Sequence, residues 1–272
     1  MIDLFRHQSK KDLNDAVLLQ SLFGQLNNKY SSFTSIYTDG SKVLDRVASA
    51  AFVPNINRKL QRRIPGLASI YTAELQAIKM ALELAQSTSG QSFIIYTDSL
   101  SSLQALSGSQ YTHPFILDIL NTYTQLINHG YEIVLAWVPS HVGIKGNEKV
   151  DIMAKEALNL PLSSVKIPYS DIKPSVNSYI RNKWQTLWDE LPDNKLFQIE
   201  PAIGVRHLSV SSNCMREEIV LARIRVGHTY FTNSYLLKDE DPPFCIACNK
   251  VFTVHHVSIS EFSLCIIIDR DL

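Results

Sequence analysis

No cysteine precedes Cys214, and the only others are Cys245, Cys248 and Cys265. A small disulfide-stapled secreted fold spreads its cysteines along the chain, so this clustering excludes that class and points to an intracellular protein. Net charge is absent too: 26 basic side chains offset 26 acidic ones. Overall charge therefore does not mark a binder of anions, although a cluster of carboxylates around cations can mask a basic rim. No apolar run approaches the roughly 18 residues of a membrane helix, which excludes a membrane partner of that kind. The opening stretch, "MIDLFRHQSKKDLND", is charged throughout and lacks the apolar core of a signal peptide.

What is present is a change of texture along the chain. Residues 1–32 are polar and mixed, with one amphipathic stretch, "DLNDAVLLQSLFGQL", that reads as a short helix packed on the surface or as the remnant of something upstream. From 33 onward "FTSIYTD", "RVASAAFV" and "RKLQRRI" read as three strands, punctuated by Gly40, Pro54 and Pro65; such short gaps fit an antiparallel meander. "IYTAELQAIKMALELAQ" is helical, with Glu74, Ala77, Ile78, Ala81, Leu82 and Ala85 on one face and Gln76, Lys79 and Glu83 away from it. Then come the strand "SFIIYTD", the helices "SLSSLQAL" and "HPFILDILNTYTQLINHG", the strand "YEIVLAWV", the loop "PSHVGIKG" and the helix "NEKVDIMAKEAL". The order β-β-β-α-β-α-α-β-α predicts an α/β fold. Its centre is a mixed five-stranded sheet, with an antiparallel meander on one side, parallel strands on the other, and helices flanking it. After about 160 the Pro- and Ser-containing "LPLSSVKIPYSDIKPS" reads as a linker. It leads to a mainly helical C-terminal extension, 161–272, with a Cys- and His-containing end.

The run IYTD occurs twice, ending at Asp39 and at Asp98, and does not extend into its flanks, so duplication does not account for it. A strand ending in Asp presents that side chain at the carboxyl edge of the sheet, where open α/β sheets build their sites. Tyr37 and Asp39 share a face, as do Tyr96 and Asp98, and the intervening helix permits the two strands to pair in parallel. Glu74 lies on the apolar stripe of its helix, and Asp151 shares a helix face with Ala154 and Leu158. Singly, each acid reads as well as a turn residue or as a helix-start carboxylate helped by the dipole. Together they repel, and cations relieve the repulsion; oxygen-only ligands favour Mg²⁺ or Mn²⁺, and such a site suits phosphodiester cleavage with two ions. His141, ten residues before Asp151 in a loop with Gly143 and Gly146, suits proton transfer or product departure beside them; an inert loop histidine is the plainer alternative.

In order along the chain, TDGS, the AEL of "YTAELQAI", YTDS and "SHVGIKGNEKVD" resemble the ribonuclease H family. More narrowly, they resemble the ribonuclease H domain of non-LTR retrotransposon polyproteins, over about 33–160. The resemblance implies a ribonuclease-H-like fold and hydrolysis of the RNA strand of RNA–DNA hybrids. It makes Asp39, Glu74, Asp98 and Asp151 the ligands of two Mg²⁺ or Mn²⁺ ions and His141 the auxiliary histidine. It also implies a reverse transcriptase domain in the same polyprotein as a partner. Ser41, Ser99 and Asn147 are candidates to meet 2′-hydroxyls, and Lys42, Arg58, Lys59, Arg62 and Arg63 to meet phosphates. For Asn147 capping the helix that bears Asp151 is the plainer reading, Ser99 also reads as a helix cap, and the last four bases read as protection of an edge strand.

The tail, "CIACNKVFTVHH", resembles the region downstream of that domain in the same elements, where a zinc knuckle is expected. Cys245, Cys248 and His255 or His256 are the available ligands; Ser260 and Glu261 stand where a last cysteine is expected, and the next is Cys265. Two readings from different classes remain: the metal-dependent nuclease, and a catalytically idle module of the same fold that binds nucleic acid. The second is expected to lack one of the acids, and none is missing.

Overall fold

The structure, a computed structural model, describes residues 2–3, 16–108, 113–194, 196–197, 201–204, 215–245, 249–254 and 256. The chain divides into two compact units, Met1–Ser175 and Val176–Leu272.

The first unit carries the five expected strands: β2 (Thr34–Val43), β3 (Arg46–Val53), β4 (Arg58–Ile64), β5 (Ser92–Thr97) and β6 (Glu132–Trp137). A two-residue strand, β1 (Ile2–Asp3), adds to them at the edge. The sheet order is β1-β6-β5-β2-β3-β4, with β2, β3 and β4 antiparallel and β2, β5, β6 and β1 parallel. The meander closes through tight connections. Leu44 at φ 54° turns β2 into β3, and Asn57 at φ 49° ends the 3-10 turn Pro54–Ile56 ahead of β4. Asparagine tolerates that left-handed conformation better than most side chains.

The two IYTD runs lie side by side, residue for residue: Ile36 pairs with Ile95, Tyr37 with Tyr96 and Thr38 with Thr97. The tyrosine rings stack at 5.0 Å, and the Thr38 hydroxyl donates to the Tyr96 carbonyl at 3.1 Å. That register is what sets Asp39 beside Asp98.

Helices cover both faces. On one face α2 (Ile70–Ser87), α3 (Leu100–Ser107) and α4 (Pro114–Asn128) bury Leu75, Ile78, Leu82, Leu103 and Ile119 against Ile36, Phe93 and Ile95. On the other, α1 (Ala16–Lys29) and α5 (Lys145–Ala157) pack Leu26, Val150, Met153 and Ala154 against Tyr37, Ile94 and Tyr96. Helix α2 begins where Ser69 caps it, its hydroxyl accepting from the Thr72 amide at 3.1 Å. It is buried beyond the stripe expected of it: Gln76, placed on the outer face by periodicity, is 2% exposed.

Residues 161–171, read as a linker, instead belong with the sheet. Leu162 bridges Arg63, Ser163 N–H donates to the Arg63 carbonyl at 2.9 Å, and Val165 and Ile167 pack on the cluster of Val47, Ile64 and Ala73. The Asp171 carboxylate accepts from the Ser69 amide at 2.8 Å, at the start of α2. Helix α6 (Tyr169–Asp189) begins inside that segment and contains Pro174. The second unit adds α7 (Met215–Arg225), α8 (Tyr230–Asn233) and α9 (Tyr235–Lys238), so the extension is helical as expected. No helix among the described residues is long and apolar enough to cross a membrane.

Candidate active site

Strand β2 passes α2 at a distance that only glycine allows. A Cβ on Gly40 would lie 2.8 Å from the Glu74 nitrogen and 3.0 Å from the Ala73 carbonyl carbon, both backbone atoms of the helix. The missing side chain brings Asp39 up to Glu74, and the Gly40 backbone favours the charged form of both carboxylates. With Asp98, just past the end of β5, the three offer carboxylate oxygens that all lie within 4.8 Å of one another.

Burial governs their charge. Asp39 is 7% exposed and Glu74 9%. Burial first, then the neighbouring carboxylates of Asp98 and Asp151, push Asp39 up to about 8; the Gly40 amide and Lys155 pull the other way. Burial, then Asp39 and Asp98, hold Glu74 well above the usual carboxylate range. Burial also raises Asp98, against the opposing pull of the Asn147 amide, its own backbone and His141. The Glu74 Oε2 atom is buried with no hydrogen-bond partner. None of the ion pairs among the described residues reaches these three acids. An all-oxygen donor set, mutually repelling, that includes a carboxylate with a buried, unpartnered oxygen fits a hard divalent cation such as Mg²⁺ or Mn²⁺.

Asp151 belongs to an adjoining group with His141 and Glu148, again with ligand atoms within 4.8 Å. Lys155, one turn on, donates to Asp151 Oδ2 at 2.7 Å. The Gly143 amide donates to Glu148 Oε1 at 3.3 Å. His141 is exposed and sits at φ 56°, so the loop is sharply bent at the imidazole. The four acids expected at one point therefore form a buried trio with a fourth beside it, close enough for Asp151 to raise both Asp39 and Asp98. Glu148 escaped the sequence reading. Its place three residues before Asp151, on the same helix face, was the available signal.

The other candidates fare unevenly. Asn147 is not a cap: Ile144 holds that position, and Asn147 is buried with its Nδ2 donating to Asp98 Oδ2 at 3.4 Å. Its amide is turned inward to that carboxylate and shielded from solvent. Ser99 does stand at the start of α3, but its hydroxyl meets those of Ser101 and Ser102, at 3.3 and 2.8 Å, instead of capping a backbone amide. Ser41 is buried, and Lys42 donates to the Ala68 carbonyl at 2.7 Å. Arg62 makes a two-pronged pair with Glu83, Arg58 donates to the Ser87 carbonyl, and Arg63 reaches the Leu160 carbonyl at 3.4 Å. These arms hold the protein's own edge strand.

In the tail, Phe244 and Val251 form an antiparallel bridge, and Cys245 exchanges backbone hydrogen bonds with Lys250 and Asn249, both at 2.8 Å. Cys245 is buried in that turn, and His256 follows it. Cys248 and His255, the other zinc candidates, lie outside the described residues.

Among solved structures, this chain is similar to the N-terminal RNase H domain of a Mycobacterium tuberculosis protein, determined as a fusion with maltose-binding protein. The identity is 17% and the TM-score 0.37, over 46% of this chain and 94% of that one. Residues 31–159, which run from just before β2 to just past α5 and include Asp39, Glu74, Asp98, His141 and Asp151, match the model of the RNase H family.

Proposed function

We propose that the protein hydrolyses the RNA strand of RNA–DNA hybrids as a divalent-metal-dependent endonuclease. The observation that carries the reading is the buried trio Asp39, Glu74 and Asp98, whose oxygens converge within 4.8 Å, inside a segment that matches the RNase H family. Asp39, Glu74 and Asp98 would hold the Mg²⁺ or Mn²⁺, with Asp151 completing the set from α5. Bound there, the ions supply activation of the attacking water and stabilisation of the leaving oxygen.

The chain's own groups do the rest. Asn147 Nδ2 holds the Asp98 carboxylate in orientation. Gly40, with no side chain, lets β2 approach α2 closely enough to set Asp39 against Glu74. His141, on its bent and exposed loop, carries a proton between the reacting phosphate and solvent. The half-buried Ser99 hydroxyl is the group best placed of the original candidates to meet a 2′-hydroxyl, the mark that separates RNA from DNA. By its motifs the domain belongs to the retroelement setting, where a reverse transcriptase domain of the same polyprotein supplies the hybrid, and Cys245, Cys248 and His255 or His256 would form a zinc knuckle downstream.

The test is cleavage of an end-labelled duplex panel with Mg²⁺, with Mn²⁺ and with chelator. Cutting confined to the RNA strand of the hybrid, and lost with chelator, is the expected result. Tight binding of an uncut hybrid under both cations would instead identify an idle binding module.

A further inference from the structure

Helix α1 (Ala16–Lys29) lies outside the segment that matches the RNase H family, 31–159, yet it reaches the loop that carries His141. Leu19, Phe23 and Leu26 recur at helical spacing and face the sheet. Leu19 is 4% and Leu26 8% exposed, and the Phe23 ring meets Tyr96 edge-on at 5.4 Å. Gln20, next to that stripe, extends sideways, and its Nε2 donates to the Val142 carbonyl at 2.5 Å.

Val142 is the pivot of the loop. On one side of it His141 has φ 56°, a conformation uncommon outside glycine, and on the other Gly143 has φ 80°. The Val142 side chain packs against the same core cluster that contains Leu26 and Tyr96. The Gly143 amide is tied to Glu148. A Cβ on Gly143 would lie 3.0 Å from Gln20 Nε2, so the glutamine occupies the space beside the bend. The loop is thus gripped between α5 and α1.

The geometry points to Gln20 as a positioning residue, which holds the loop at Val142 so that His141 faces Asp151 and the buried acids. This rests on the hydrolase reading for its kinetic consequence, but not for the loop's shape. Gln20 touches neither the carboxylates nor the imidazole, so its loss changes how often His141 is in place.

The experiment uses the full chain with Gln20→Met, which removes the donor at similar size, and Gln20→Lys, which restores an N–H. For each, kcat and KM on an RNA–DNA hybrid and amide hydrogen exchange of residues 140–144 are measured. Gln20→Met is expected to lower kcat by about 5- to 10-fold at unchanged KM, within the range that misplacement costs. It should also speed exchange in the loop, and Gln20→Lys should recover most of both. In a His141→Ala background, Gln20→Met should cost no further rate. Loop exchange equal to wild type in Gln20→Met, or a full additional loss in the His141→Ala background, overturns the proposal. If the wild-type protein does not cut hybrid while Gln20→Met still loosens the loop, the positioning stands and the hydrolase reading falls.

Discussion

Asp39, Glu74 and Asp98 stand on two strand ends and a helix that are packed on both sides, while His141, Glu148 and Asp151 stand on an exposed bend and the first turns of α5. In the first group burial sets the charge: every carboxyl is raised, and none has a cationic side chain within an ion pair. In the second, Lys155 already answers Asp151 at 2.7 Å, and a backbone amide answers Glu148. The contrast separates two jobs. On the proposed reading, the desolvated acids would hold a cation, and the exposed imidazole on its bent loop would pass protons.

Several variants sharpen or break that contrast. Asp39→Asn keeps shape and removes a charge from the buried group; hybrid cleavage should fall at least about a hundredfold, the order lost with one buried electrostatic group, while hybrid binding holds or improves. Activity near wild type in a gel cleavage assay would erase the distinction between the two groups. His141→Ala acts on the exposed group and should cost less, about ten- to a hundredfold in kcat, with KM for hybrid unchanged. A larger loss than in Asp39→Asn would reverse the ranking.

Gly40→Ala strikes the packing beneath the buried group. The added methyl meets backbone at 2.8 and 3.0 Å, which cannot swing aside, so unfolding in urea should show a loss of about 1–3 kcal/mol. Stability unchanged would mean that strand and helix part easily, and that the convergence of Asp39 and Glu74 is not held by their closeness. Lys155→Met is the gentlest. The pair is half exposed on the lysine side, so stability should shift by less than about 1 kcal/mol, while divalent cations bind several-fold more tightly once Asp151 is uncompensated. Weaker cation binding in a calorimetric titration would place Lys155 among the groups that support the site.

Much of this was legible in the chain. A strand that ends in Asp, repeated as IYTD, fixes where two carboxylates emerge, because side chains alternate along a strand and parallel neighbours end at one edge. The apolar stripe through Glu74 likewise fixed a helix facing the core. What escaped depends on partners distant in sequence. Gln20 meets Val142 across 122 residues and Asp171 meets Ser69 across 102, and no local pattern encodes either. Asn147 read as a cap because Asn before an amphipathic helix usually is one; the helix starts two residues earlier, which turns the amide inward to Asp98. Pro174 lies in the stretch read as a linker, yet α6 runs through it near its start, at the loss of one backbone bond.

Cation binding by the buried acids bears most directly on the account. The folded value of Asp39, about 8, lies above the roughly 3.9 of an unfolded aspartate. Without cations, the protonated group therefore favours the fold below about pH 4, and that contribution is lost as pH rises through about 8. A cation that binds the trio must displace such protons. Calorimetric titration of the wild-type protein with Mn²⁺ at pH 7, in buffers of different ionisation heat, should show binding with net proton release. Asp39→Asn should bind more weakly and release fewer protons. Binding with no proton release, or identical titrations for the two proteins, would contradict the claim that Asp39, Glu74 and Asp98 form the cation site.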